Sequence, residues 1–112
     1  MKVWQLARVL ARDIYRETQS FPRVEMFGLV QQMRRAAVSV VSNIAESQGR
    51  RSRAEMRNFT LIARGSLLEI EAQLVIAADL NYIESVQGET LIEQTLEVVR
   101  LLNGLIKRYE SG

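Results

Sequence analysis

Residues 35–47 read RAAVSVVSNIAES, and this stretch decides the fold. It sits in a long apolar-periodic segment yet carries little bulk, with Ala36, Ala37, Ser39, Ser42 and Ala45 in succession. Small side chains over several turns let neighbouring helices approach closely, so the stretch reads as the central rib of a helical bundle. Working outward, the periodicity predicts a helix over 22–48, roughly 40 Å long. Met26, Leu29, Val30, Met33, Ala37, Val40 and Ile44 form its core stripe. Phe27, Val38, Val41 and Ala45 widen the apolar arc to about half the circumference. Arg34 falls inside that arc, where an arginine either snorkels to water or marks a contact between subunits. The remaining narrow stripe is polar and holds Gln32, Arg35, Ser39, Asn43 and Glu46.

Upstream, Val3, Leu6, Ala7, Leu10 and Ile14 repeat at three and four residues and predict a first helix over 2–19. Its far side stacks Arg8, Arg12 and Arg16 about 6 Å apart along the axis. That row is either a solvated polar face or a ridge for phosphates. Phe21-Pro22 ends the helix, because a residue before proline is pushed out of the α region. Pro22 then suits the first turn of the second helix, with Glu25 complementing its dipole.

Downstream, Gly49-Arg50-Arg51-Ser52-Arg53 is a polar connector, and Ser52 to Glu55 has the form of a capping box for a third helix. That helix has two apolar stripes. Met56, Phe59, Ala63, Leu67, Ile70, Leu74 and Ala77 make one. Leu61, Gly65, Leu68, Ala72 and Val75 make the other, nearly opposite. A surface helix of a monomeric bundle needs a single stripe, so the second one predicts burial against another copy of the chain. Asn81 can take the left-handed conformation that closes the helix. Ser85 is a candidate cap for a fourth helix reaching Tyr109, with a seam of Leu91, Thr95, Val98, Leu102, Leu105 and Tyr109. The expected architecture is an all-α, up-down-up-down antiparallel four-helix bundle in one domain spanning 1–112.

Composition narrows the chemistry. The chain has no cysteine and no histidine, which removes disulfides, thiolate metal sites, the commonest metal ligand and the usual general base. No enzymatic activity, metal or cofactor is expected. No run of apolar residues is long enough to span a membrane, and the N-terminal segment carries Arg8, Arg12 and Asp13 within its apolar pattern, unlike a signal peptide. A cytoplasmic location and no membrane partner follow as expectations.

Charge is unevenly spread. Residues 1–53 hold ten basic and four acidic side chains (+6), and residues 54–112 hold five and nine (−4), giving the net +2. Antiparallel connectivity gathers Lys2, Arg50, Arg51, Arg53, Arg57, Lys107 and Arg108 at one end of the bundle, facing few acids. In a ring of parallel subunits these ends would add, giving a surface that attracts nucleic acid in a salt-dependent way. The same geometry predicts an Arg35–Glu69 ion pair, small polar contacts at Ser39 and Ser66, and a polar cluster of Asn43, Glu46 and Arg64. All are read as structural.

Three segments resemble a known family: FPRVEMFGLVQQMRRAAVSVVSNIAES (21–47), the serine-capped connector (49–55) and ARGSLLEIEAQL (63–74). They are similar to the four-helix-bundle proteins encoded in intervening sequences of bacterial large-subunit ribosomal RNA genes. Val41 stands where that family often has proline, and Ser47 where it often has glycine. The first departure predicts a straighter second helix, the second a helix that runs further before the loop. The resemblance implies a homopentameric barrel without established enzymatic activity. A related branch is the accessory protein of diversity-generating retroelements, which binds nucleic acid and a reverse transcriptase through basic surfaces. The expected function is therefore a non-catalytic homo-oligomer that binds RNA or DNA through Arg8, Arg12, Arg16, Arg50, Arg51 and Arg53. The alternative is a protein-interaction scaffold or accessory subunit of a reverse transcriptase.

Overall fold

The computed structural model describes residues 1–111 and contains four α-helices: α1 (Lys2–Thr18), α2 (Leu29–Gln48), α3 (Arg53–Asp79) and α4 (Ser85–Glu110). A short 3₁₀ turn over Arg23–Glu25 precedes α2. Among the described residues there is no strand, and no helix is long and apolar enough to cross a membrane. The molecule measures 47 × 24 × 19 Å. Packing joins α1 to α2, α2 to α3, α3 to α4 and α4 back to α1, with α2 and α3 sharing the most extensive contact.

The core forms where the apolar stripes meet. Leu10, Ile14, Met33, Ile44, Leu67, Ile70, Leu74 and Leu102 are all essentially inaccessible to water. Of the small residues of α2, Ala36, Ala37 and Ser39 pack inward as the sequence implies, whereas Ser42 and Ala45, with Val38, face outward and are exposed. Ala36 and Ala37 are buried, and Ser39 hydrogen-bonds Ser66 across to α3 at 2.9 Å. Farther along, Ser47 and Thr60 hydroxyls meet at 3.1 Å. Paired residue numbers thus rise on α2 as they fall on α3. Thr60 donates to Met56 O at 2.7 Å, and the Ser47 hydroxyl, 3.1 Å from both Met56 O and Thr60 Oγ1, donates its one proton to one or the other. Buried hydroxyls placed this way satisfy themselves within the bundle. Ser47 is accordingly a core residue tying two helices together, and α2 still ends at Gln48.

The second helix begins seven residues later than its periodicity predicts. Pro22 sits at ψ 143°, the chain then makes its 3₁₀ turn, and Gly28 at φ −113°, ψ −109° breaks any continuous helix. Glu25 folds back so that its Oε1 accepts the Leu29 N–H at 3.2 Å, satisfying one of the donors a helix start leaves orphaned. A Cβ at Gly28 would lie 2.9 Å from that same oxygen, so the cap needs glycine there. Met26, expected in the core stripe, and Phe27, expected in the wider apolar arc, are consequently half and 87% exposed.

The other boundaries are closer. Ser52 Oγ accepts the Glu55 N–H at 3.1 Å, which caps α3 as expected. Asn81 takes φ 61° and closes α3. Ser85, expected as a cap, lies within α4 as its first residue, and Glu84 precedes the helix without a side-chain cap bond.

The two ends of the molecule are pinned differently. At one, Arg57 pairs with Glu110 at 2.6 Å, Arg53 donates to Ser111 O at 3.1 Å, and Met1 and Lys2 border the last turns of α4. At the other, Phe21 and Tyr82 rings lie 5.5 Å apart, and the Tyr82 hydroxyl donates to Glu25 Oε2 at 2.9 Å. That hydrogen bond, with burial and the Glu25 charge assisting, holds the Tyr82 phenol above its ordinary value.

Candidate nucleic-acid interface

The six arginines expected to contact nucleic acid fall into two groups. On α1, Arg8, Arg12 and Arg16 are exposed in a row. Arg8 lies over the Trp4 ring at 5.6 Å. Arg12 pairs with its neighbour Asp13 at 3.1 Å, and Asp13 is also held by Gln94 of α4 at 3.0 Å. Arg8 and Arg16 make no ion pair among the described residues.

In the α2–α3 connector Arg51 and Arg53 are exposed and make no ion pair among the described residues, and of these only Arg53 makes a side-chain hydrogen bond there. Arg50 forms an ion pair with Glu46 and lies over the Phe59 ring at 4.8 Å. Its guanidinium therefore packs the end of α2 against the start of α3. Arg53 is spent on the carbonyl of Ser111, which leaves its charge uncancelled but its side chain committed.

Within the protomer Arg34 is held against α1 rather than left free in water. Its Nε donates to Thr18 Oγ1 at 3.0 Å and its Nη2 to Tyr15 O at 3.2 Å, and the guanidinium lies over the Tyr15 ring at 4.7 Å. Tyr15 O is one of the last carbonyls of α1, so Arg34 places a positive charge at the negative end of that helix. The sequence placed Arg34 in the apolar arc, but the carbonyl and hydroxyl that accept from it lie on another element and left no signal.

The expected structural polar residues divide likewise. Ser39 and Ser66 bond as predicted, and Asn43 Nδ2 donates to Ser39 O and Oγ at 2.8 and 3.1 Å. Arg35 and Glu69 are both exposed and make no ion pair among the described residues. A surface pair gains only about 0–1 kcal/mol, too little to hold two long side chains in one geometry. The cluster of Asn43, Glu46 and Arg64 does not form. Glu46 takes Arg50 one turn along its own helix, and Arg64 donates to Asn103 Oδ1 of α4 at 2.8 Å. Arg64 and Ser66 stand about 200° apart on α3, so they address different neighbours.

The second stripe of α3 is real and uncovered in the protomer. Gly65 and Ala72 are exposed, Leu68 and Val75 are 49% and 46% exposed, and Ile62 and Ile76 flank them. Leu61 lines a groove of about 620 Å³ between α3 and α4, with Arg64, Asn103, Gly104 and Lys107. A Cβ at Gly65 or Gly104 would meet nothing within 4 Å. No group of three or more His, Cys, Asp or Glu side chains comes together as a metal site among the described residues.

The sequence of residues 1–104 matches the model of a family described as 23S rRNA-intervening sequence protein. The chain belongs to that family. A solved structure similar to it is the 1.70 Å crystal structure of a protein of unknown function from the S23 ribosomal protein family, from Bacteroides thetaiotaomicron VPI-5482. The two superpose with a TM-score of 0.85 at 27% identity, covering 94% of this chain and 98% of the other. Comparison with curated proteins gives no match. The superposition agrees with the four-helix fold, and membership of the 23S rRNA-intervening sequence protein family brings no assigned activity.

Proposed function

We propose that the chain is the protomer of a non-catalytic homo-oligomer that binds RNA or DNA through its arginine-rich surface. The observation that carries this is Arg8 and Arg16 standing exposed on one helix face with no carboxylate partner among the described residues, joined by Arg51 at the connector. Phosphates compete poorly for arginines already held by acids and well for these. The opposed running of the bonded pairs Ser39–Ser66, Ser47–Thr60 and Arg57–Glu110 supports an up-down-up-down antiparallel arrangement. The uncovered α3 stripe supports self-association, and a ring of five is the favoured assembly, as in the family it resembles. Within such a ring Leu61, Gly65, Leu68, Ala72 and Val75 form the subunit contact, and the arginine ends add.

The test is a gel shift with structured RNA across a salt series. Binding should weaken as salt rises, with a slope reporting the phosphates contacted. No binding at low salt, or binding indifferent to salt, would end the proposal.

A second reading, a scaffold or accessory subunit for a protein such as a reverse transcriptase, is favoured by the apolar end. Val24 and Val86 there are 84% and 72% exposed. Co-purification of a protein partner that survives nuclease treatment supports this reading over the first.

A further inference from the structure

Between the end of α1 and the start of α2 lies a concavity of about 390 Å³, within the roughly 300–1,000 Å³ typical of ligand sites. Its walls are Tyr15, Met26, Phe27, Gln31, Arg34 and Arg35, with Val30 at the base. Phe27 is 87% exposed, more than any other large apolar side chain described. The break at Gly28 puts it there, outside the core. The Tyr15 ring is 41% exposed, with the Arg34 guanidinium 4.7 Å from its centroid. Arg34 is itself fixed by Tyr15 O and Thr18 Oγ1. This aromatic–guanidinium pair is therefore in place before any ligand arrives.

The charge at the groove selects its occupant. None of its lining residues is acidic, and Glu25, on the neighbouring turn, is turned away to Leu29 N–H and the Tyr82 hydroxyl. Arg35 is exposed and makes no ion pair among the described residues. A basic amphipathic segment would meet two arginines here. A ligand with flat faces and an anionic backbone matches both the rings and the charges. A duplex hides its base faces in its own stack, whereas unpaired bases can be splayed onto aromatic rings and arginine planes.

We propose that this groove takes an unpaired base of a single-stranded nucleic acid, stacked on Phe27 and against the Tyr15–Arg34 pair, with Arg35 on the adjoining phosphate. The inference rests on the nucleic-acid reading above and adds strandedness and a place. The strand continues along α1 past Arg16 and Arg12 toward the Trp4–Arg8 pair, about 16 Å from Tyr15. A second aromatic ring with a guanidinium over it waits there.

Fluorescence anisotropy with a labelled, unstructured oligouridine tests the proposal, with an unlabelled RNA duplex as competitor. Phe27→Ala should weaken single-strand binding by between about 5-fold and 150-fold, the range for losing one stacked base. Its salt slope should be unchanged, because the phosphate contacts remain. Phe27→Trp should restore affinity, with tryptophan fluorescence quenched on binding. Wild-type binding that Phe27→Ala leaves intact would overturn the groove alone, as would a duplex that competes equally. A Phe27→Ala chain with altered sedimentation would also overturn it, because Phe27 would then be a contact between copies. No binding by the wild-type chain at low salt would remove the nucleic-acid reading itself, and this inference with it.

Discussion

Replacing Arg34 with methionine keeps most of the apolar stem and removes the guanidinium. Two hydrogen bonds then disappear, to Thr18 Oγ1 at 3.0 Å and to Tyr15 O at 3.2 Å, with the contact over the Tyr15 ring. A bond from a charged donor contributes about 1.5–3 kcal/mol. Arg34 is partly exposed and water competes, so about 1 kcal/mol each is the better figure. The ring contact adds roughly 0.5–1 kcal/mol. The loss should total about 2–3 kcal/mol. In urea, with a slope of about 2 kcal/mol per molar for a chain this size, the midpoint should fall by roughly 1–1.5 M. Arg34→Lys recovers one bond and should cost about half as much. A double-mutant cycle with Thr18→Val should return a coupling of about 1 kcal/mol. The assay is equilibrium unfolding at several protein concentrations, where an intramolecular clamp gives the same loss throughout. A loss below about 0.5 kcal/mol, the ordinary effect of a surface substitution, would refute the clamp. So would a loss that grows on dilution, the pattern expected of a subunit contact.

Four further outcomes follow from the same structure. Ser47→Ala should cost about 1–2 kcal/mol, because a buried hydroxyl loses its bond to Met56 O or Thr60; an unchanged denaturation midpoint would count against it. On the outer face of α3, Leu68→Glu should release folded protomers in sedimentation velocity with helical circular dichroism intact. Gly65→Ala should split two readouts there: it adds about 0.5–1 kcal/mol to the lone helix, whose Cβ position is empty, yet weakens any assembly in which a neighbour packs on that glycine. In an alkaline ultraviolet titration Tyr82 should ionise above the ordinary phenol value, since Glu25 holds its phenol up. A folded-state value raised above that of the unfolded chain means this stabilisation is present below about pH 10 and fades as pH rises through the folded value. Tyr82→Phe should abolish that step, and a titration curve that Tyr82→Phe leaves without loss at its high-pH end would contradict the assignment.

The fold was legible because periodicity reports a face, and each helix of this chain has one. Core positions such as Leu10, Met33, Ile44, Leu67 and Leu102 could be read from spacing alone, as could the Ser52 cap and the Asn81 turn. The start of α2 could not. Met26 and Phe27 continue the apolar pattern of α2, but backbone geometry at Pro22 and Gly28 overrides it, and a side-chain cap from Glu25 makes the later start stable. The polar contacts show the same divide. Ser39–Ser66 was predictable, since two small hydroxyls on facing stripes have few other partners. Arg34, Arg50 and Arg64 were not, because a long side chain chooses among several carbonyls, carboxylates and rings within reach. Spacing along one helix records none of those choices.

That choice bears directly on where an anion would bind. An arginine that is hydrogen-bonded to a helix end or paired with a carboxylate has donors already engaged, whatever its formal charge. Arg50 and Arg53 sit at the end expected to be most basic, and both are committed to the fold there, Arg50 to Glu46 and Phe59, Arg53 to Ser111 O. Arg57 is likewise paired with Glu110. Arg8, Arg16 and Arg35, by contrast, are exposed and make no ion pair among the described residues. They belong to α1 and the adjoining part of α2, beside Trp4, Tyr15 and Phe27. If the chain binds nucleic acid, removing Arg8, Arg16 and Arg35 should therefore flatten the salt dependence more than removing Arg50, Arg53 and Arg57. For a single strand each lost phosphate contact lowers the slope by about 0.7, so the first triple substitution should lower it by about 2. The second triple substitution should chiefly lower the unfolding midpoint. The reverse result would move the interface back to the end of the bundle and leave the groove at Phe27 without a strand to hold.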